Sequence, residues 1–528
     1  LITKILSLFK KYPTRLVEAL VEDDKSNFTI LTADKANILV QVVPDDCYFG
    51  LMYGLAKDTQ KMSGISVDLL VTRGINASIG RSITAALKRL NTLNYLYMKN
   101  WVKPFLNANT KVHWASQVSQ LTKLQKSQRA YRLWSQWKKN SNKNNRYRVI
   151  YRDIDDLVID TYLRYRGLSR FNINDIFVFI LLRDALCQIE KLDALISKSD
   201  YESYITSYAS YTTHGIPVRV ALKHELNVYS FGDLGSFGTK LSKDFPYHAF
   251  NPNVSEIIRK YPNEKIKRIR EEARSVLKFR FSGGVDPGIS YMRRSSYRAS
   301  HKTNLDTNLK NKAILFLHDF VDSPNIYDNF IYDDFYQWTT KTIEILKAAE
   351  IPFAIKPHPN QVKESQVITE HLKRNYSDLH WISPTINNLD IIKSKPRVAV
   401  TVYGTVASEL AYFGIQTICC SDHPHQLFKF CLTAQNRQSY TELLLGIAQI
   451  KNSPRQMVTL RNEALDYFAV RNGIDQQSNK ILNDQYSKYW NTAKKQDEPN
   501  TGVALNELNK LRKLPQYNRF IKGLKNEF

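Results

Sequence analysis

Residues 351–360 read IPFAIKPHPN, an apolar run that ends in Lys356, Pro357, His358 and Pro359. A lysine supplies a compact cation and an imidazole supplies a hydrogen-bonding group tunable near neutral pH, a pair suited to anionic oxygen. The two prolines hold the chain extended as it leaves a strand. A second stretch, YGTVASELAYFG from Tyr403, offers Gly404 for a tight strand-to-helix turn and Thr405 as a helix cap. First-turn amides then face a phosphate, the Ser408 hydroxyl can add a donor, and the Glu409 carboxylate can accept from ribose hydroxyls. Glu409 also has a purely structural explanation, because an acid in the first turn of a helix is favourable without a ligand.

Both stretches sit in a region, residues 312–420, where strand and helix patterns alternate. AILFLHDF, IPFAIKPHP, LHWIS, RVAVTVYG and IQTICC read as strands; DDFYQWTTKTIEILKAAE, QVKESQVITEHLKRN, INNLDIIKS and TVASELAYFG read as helices. That order predicts a parallel sheet covered on both faces, and ligands bind such sheets beyond the carboxyl ends of the strands. The polar residues there are His318 and Asp319, Lys356 and His358, Tyr403 to Thr405, and Asp422 with His423.

The motifs HDF, KPHP and GT-x-x-SELAYFGIQTI resemble the nucleotide-binding domain of bacterial GT-B glycosyltransferases that build capsular and lipopolysaccharide chains. Within that class the likeness is to the capsule-synthesis group containing Kdo transferases, and more loosely to CMP-sugar sialyltransferases and polysialyltransferases. Their His-Pro and Ser/Thr-rich motifs at the CMP site are matched by His358-Pro359 and by Thr405 with Ser408. The resemblance covers about a quarter of the chain. It implies an α/β GT-B fold, two Rossmann-like doubly wound domains facing a central crevice. It also implies a nucleotide-sugar donor, with a CMP-sugar favoured, held by His318, Asp319, Lys356, His358, Pro359, Tyr403, Gly404, Thr405, Ser408 and Glu409. The acceptor implied is a polysaccharide or lipid-linked glycan, and the location is cytoplasmic or peripheral on the inner face of the membrane.

The first half alternates too, from NILVQVV through a helix and ISVDLLVTR to NVYSFGD near residue 233. Glycosyl transfer needs a base or a carboxylate nucleophile. DIDDLVIDTYLRY offers Asp153, Asp155, Asp156 and Asp160, of which Asp160 is the catalytic candidate beside His358; a helix cap would equally explain Asp160, and Asp233 and His214 are weaker choices. The acidic base motif expected of polysialyltransferases is not evident. The polar stretch 296–312 reads as a linker, giving domains at 1–300 and 308–485 and a basic extension at 486–528.

Lysine and arginine number 75 against 50 acidic residues, a net charge of +25, so an anionic partner is expected. Residues 111–148 contain no acid and interleave Trp and Tyr with bases, a composition suited to an anionic membrane surface. Nucleic-acid binding would also account for the charge, but it leaves the rim residues without a role. The same residues are compatible with a CDP-glycerol-type glycerophosphotransferase and with a non-catalytic assembly subunit. Five cysteines without C-x-x-C pairs predict neither a zinc site nor a disulfide framework and suit a reducing compartment; no signal peptide is read at the start. Acidic pairs such as Asp45-Asp46 and Asp333-Asp334 lack a metal-binding setting at the rim, and no obligatory metal or cofactor is expected.

Overall fold

The computed structural model describes residues 12–24, 36–72, 91–106, 110–115, 117–141, 154–233, 235–289, 295–297, 309–450, 453–494 and 498–524. The chain forms two compact α/β units. One contains residues up to 166, 172–248 and 478–528; the other contains 167–171 and 249–477.

The first unit is built on strands β1 (Ala36–Val42), β2 (Ser66–Val71), β3 (Val112–Trp114), β4 (Ser203–Thr206), β5 (Asn227–Ser230) and β6 (Thr239–Leu241), arranged 3-2-1-4-5-6. All pairings are parallel except β5 with β6. Ile38, Val40 and Val42 of β1 alternate onto one face and pack with Phe49 and Leu51 of the helix Asp46–Ser63. That helix starts at Asp45, whose side chain accepts from Cys47 N at 3.0 Å and Tyr48 N at 3.3 Å.

The second unit carries β7 (Ala313–Phe316), β8 (Phe353–Lys356), β9 (Val398–Val400), β10 (Thr417–Cys420) and β11 (Cys431–Ala434) in the order 11-10-9-7-8, all parallel. Ala313 and Leu315 enter the apolar cluster on one face, Ile314 and Phe316 the cluster on the other, so the sheet is buried on both sides. The predicted strand at LHWIS is reduced to a single bridge, Trp381 with Ile355.

Two boundaries differ from those expected. The segment after His248, expected in the first domain, belongs to the second unit: helix Asn263–Phe281 lies on helix Pro454–Arg471, and Arg270 donates twice to Asp466 at 2.7 Å. The expected extension at 486–528 is part of the first unit's core. Helices Gln477–Ala493, Glu498–Arg512 and Pro515–Gly523 contribute Tyr486, Tyr489, Leu508, Leu511 and Ile521 to it. Most of the expected linker, residues 298–308, lies outside the described residues.

The basic segment forms helix Gln120–Ser141 as far as it is described; residues 142–148 lie outside. Its two tryptophans are core residues rather than a surface ladder. Trp137 is buried, and Trp134 is buried with its Nε1 donating to Ile173 O at 2.7 Å. Leu121, Leu124 and Tyr131 remain exposed beside Arg129, Arg132 and Lys139. Among the described residues no helix is long and apolar enough to cross a membrane.

Candidate functional site

In a doubly wound sheet the strand order reverses at one point, and the crevice forms there. In the second unit that point lies between β7 and β9. His318 follows β7 and Thr401 follows β9, and His318 Nε2 lies 3.1 Å from Thr401 Oγ1 and accepts from Val402 N at 3.3 Å. The pattern assigns the proton of the neutral ring to Nδ1. The imidazole stacks on Phe335, 4.6 Å between centroids and 8° apart, and meets the edge of Tyr403 at 5.0 Å.

Just beyond the neighbouring strand β8, His358 is held by a second backbone contact: its Nδ1 accepts from Asn360 N at 3.2 Å. The proton of this ring therefore sits on Nε2. Burial, reinforced by the nearby His358, pushes His318 down to about 3. Burial also lowers His358, to about 4, with Asp322 acting the other way and Lys356 adding to the fall. Both rings are neutral at pH 7, and each keeps one N–H that makes no hydrogen bond to a described residue.

Lys356, the last residue of β8, is 2% exposed and donates to Asn388 Oδ1 at 2.6 Å. Burial lowers its ammonium to about 8, and Glu409 supports the charge. Glu409 is in turn fixed by Arg280 Nη1 at 3.0 Å and Tyr297 OH at 2.7 Å. The Arg280 guanidinium, also 2% exposed, donates to both oxygens of Asp286 at 2.5 and 2.6 Å. Two cations and two carboxylates thus close a buried, balanced cluster.

Several expected roles change. Glu409 does not stand ready for a ribose, because both its oxygens already accept from Arg280 and Tyr297. Ser408 is fully buried and donates to Thr405 O at 2.9 Å, so it braces the first turn instead of facing a ligand. Thr405 occupies the cap position with helical dihedrals and makes no side-chain cap, and the helix it precedes, Val406–Tyr412, is only seven residues long. Gly404 is not in the left-handed region; it is needed for closeness, since a Cβ there would lie 3.0 Å from Thr401 Oγ1. Asp319 accepts from Val362 N at 2.9 Å and from the Ser365 hydroxyl, tying the end of β7 to helix Lys363–Asn375. Tyr403 OH donates to Ser323 O at 3.0 Å, and Pro359 is half-buried beside His358. His318, His358 and Tyr403 remain as the rim, with Lys356, expected to face the donor, buried behind them.

Asp160, expected as a catalytic group after an apolar run, with a helix cap as the alternative, lies inside helix Asp155–Arg166 and is buried. Five residues into the helix, it is not the cap. Asp153 lies outside the described residues.

The first unit's reversal point, between β1 and β4, holds a different network. Gln41 Oε1 accepts from Thr206 Oγ1 at 2.8 Å and Ser207 Oγ at 3.1 Å, while its Nε2 donates to Thr72 Oγ1 at 3.0 Å. Gln41 also meets His214 Nδ1 at 3.0 Å, and burial, with His248 nearby, lowers His214 to about 3. The signal for Gln41 in the sequence is its polarity within the apolar run NILVQVV, which the expected site residues did not include. Arg280 and Tyr297 give no such signal, because Glu409, the carboxylate they share, is distant in the chain.

No family model matches the chain, and no curated protein matches it. Among solved structures, Thermosulfurimonas dismutans KpsC, a beta-Kdo 2,4 transferase, is 12% identical over 51% of this chain and 79% of its own, with a TM-score of 0.32. The S. aureus MnaA–UDP structure is 10% identical over 84% and 98%, with a TM-score of 0.28. Anabaena HepE, in complex with UDP and glucose, is 10% identical over 85% and 99%, with a TM-score of 0.27.

Proposed function

We propose that this chain is a glycosyltransferase whose second unit holds a nucleotide-sugar donor at the reversal point between β7 and β9. The observation that carries the reading is the pair of neutral imidazoles on adjacent strand ends, each with one N–H unengaged by a described residue. Two neutral donors in front of the buried Lys356 suit a phosphate that gains charge as the sugar departs. Because the donors are neutral, phosphate binding does not require a proton to be taken up first.

The donor we propose is a CMP-sugar, with Kdo or a related acidic sugar transferred to a surface polysaccharide or lipid-linked acceptor. Support comes from the resemblance of His358-Pro359 to the CMP-site motif, together with the location of His358 just after β8, the strand beside β7, near His318. No metal is assigned to this step, since imidazole and lysine donors can meet the phosphate charge themselves. Thermal-shift titration with CMP, UMP, CDP, UDP and GDP tests the reading by mass action. CMP should stabilise the chain most, and His358→Ala should abolish the shift. Stronger stabilisation by UDP or GDP would reassign the donor, and silence with every nucleotide would refute the transferase reading.

A further inference from the structure

On one face of the second sheet, β10 and β11 bring two thiols together. Thr417 pairs with Cys431 and Cys419 with Thr433, so Cys419 and Cys431 lie on the same face of adjacent parallel strands. Both enter the apolar cluster with Phe428, Phe430 and Tyr467. The loop after β10 then turns His423 inward, fully buried, and its Nδ1 accepts from His425 N at 3.1 Å. That contact leaves Nε2 facing Cys431 Sγ at 3.9 Å and Thr433 Oγ1 at 3.0 Å. The two sulfurs and a His423 ring nitrogen all lie within 4.8 Å of one another.

From this geometry we propose that Cys419, His423 and Cys431 bind one zinc ion inside the second unit. Zinc bonds of about 2.3 Å to sulfur and about 2.0 Å to nitrogen require ligand separations near ~3.5 Å, so the observed spacing needs only a small contraction. Two thiolates cancel the charge of the ion, and a neutral set can be buried where a lone dication cannot. Calcium and magnesium are excluded by the donor set, which is sulfur and nitrogen rather than oxygen. Binding converts two thiols and Zn²⁺ to a bis-thiolate complex and releases two protons.

One further observation agrees. His425, also buried, has neither ring nitrogen hydrogen-bonded to a described residue, an unusual cost for an interior imidazole. Its ring centroid is 5.5 Å from that of His423, which makes it the candidate for a fourth ligand. No local spacing in the sequence marks the site, because strand pairing is what joins Cys419 to Cys431.

The test uses the full chain purified without chelator, kept reduced and desalted. Elemental analysis should find about one zinc per chain. Cys419→Ser and Cys431→Ser should each lose it, whereas Cys420→Ala, on the other face of β10, should keep it. Should the serine variants not fold, the wild-type chain loaded with cobalt carries the decision: a thiolate-to-cobalt charge-transfer band is expected. Absence of that band with all five thiols free, a Cys419–Cys431 disulfide in the unreduced chain, or zinc retained by both serine variants would each overturn the site.

Discussion

The carboxyl ends of the two sheets solve one problem in different ways. Each sheet reverses its strand order once, and each gathers buried polar groups there, but the first unit uses uncharged ones. Gln41, Thr72, Thr206, Ser207 and a neutral His214 satisfy one another without a formal charge. The second unit places Arg280, Asp286, Glu409 and Lys356 behind its rim. A neutral network fixes shape at small electrostatic risk. A charged one sets the potential at the rim, but only while every charge keeps its partner.

The contrast breaks most visibly at Arg280. Arg280→Met should cost about 3–5 kcal/mol of the second unit's stability in chemical denaturation, because Asp286 and Glu409 are left buried and unpaired. A loss below about 1 kcal/mol would mean that water reaches the cluster. At the rim itself, His358→Ala should slow transfer by about 10²-fold with the fold retained. Unchanged turnover would remove this crevice from the reaction.

Gln41→Leu in the neutral network should cost less than Arg280→Met, about 1–3 kcal/mol for the hydroxyls it orphans. An equal or larger loss would erase the distinction between the two regions. Titration sharpens it further. His358 is held at about 4, below its ordinary 6.5, so its contribution to stability is fully present above pH 6.5 and is lost as pH falls through 4. The stability difference between wild type and His358→Gln should therefore change across that window and level off above it. For Lys356, held at about 8, the burial penalty is full below pH 8 and relieved towards pH 10.5, so Lys356→Met should gain on wild type chiefly at neutral pH. Per residue the smallest effect belongs to the surface: Arg129→Gln, Arg132→Gln and Lys139→Gln together should weaken binding to anionic vesicles by about 1 kcal/mol per charge, leaving turnover on a soluble acceptor unchanged.

Sequence patterns reveal those parts of the molecule whose partners are local. Apolar strands such as NILVQVV and AILF, and KPHP at a strand end, carry their own signal, since burial on both faces leaves a continuous apolar run. Strands of three or four mixed residues, β3, β6 and β11, carry too little periodicity to be read. Glu409 is legible as an acid in a first turn, but its partner Arg280 is 129 positions away, and only the folded chain shows that they meet. Helix 515–523 has a visible apolar stripe, yet nothing local says which unit receives it.

That last helix has a consequence for how the protein is made. Asp58 accepts from Arg512 at 2.7 Å twice and from Tyr517 at 2.8 Å, and Gly50 leaves room for the Tyr489 hydroxyl, which a Cβ would approach to 2.4 Å. On the ribosome these partners arrive after every residue of the second unit has been synthesised. The unit begun first is therefore completed last, and a nascent chain must carry a half-covered first sheet while its downstream neighbour closes. Chaperone dependence should accordingly concentrate on the early unit, during the interval before residue 512 leaves the exit tunnel.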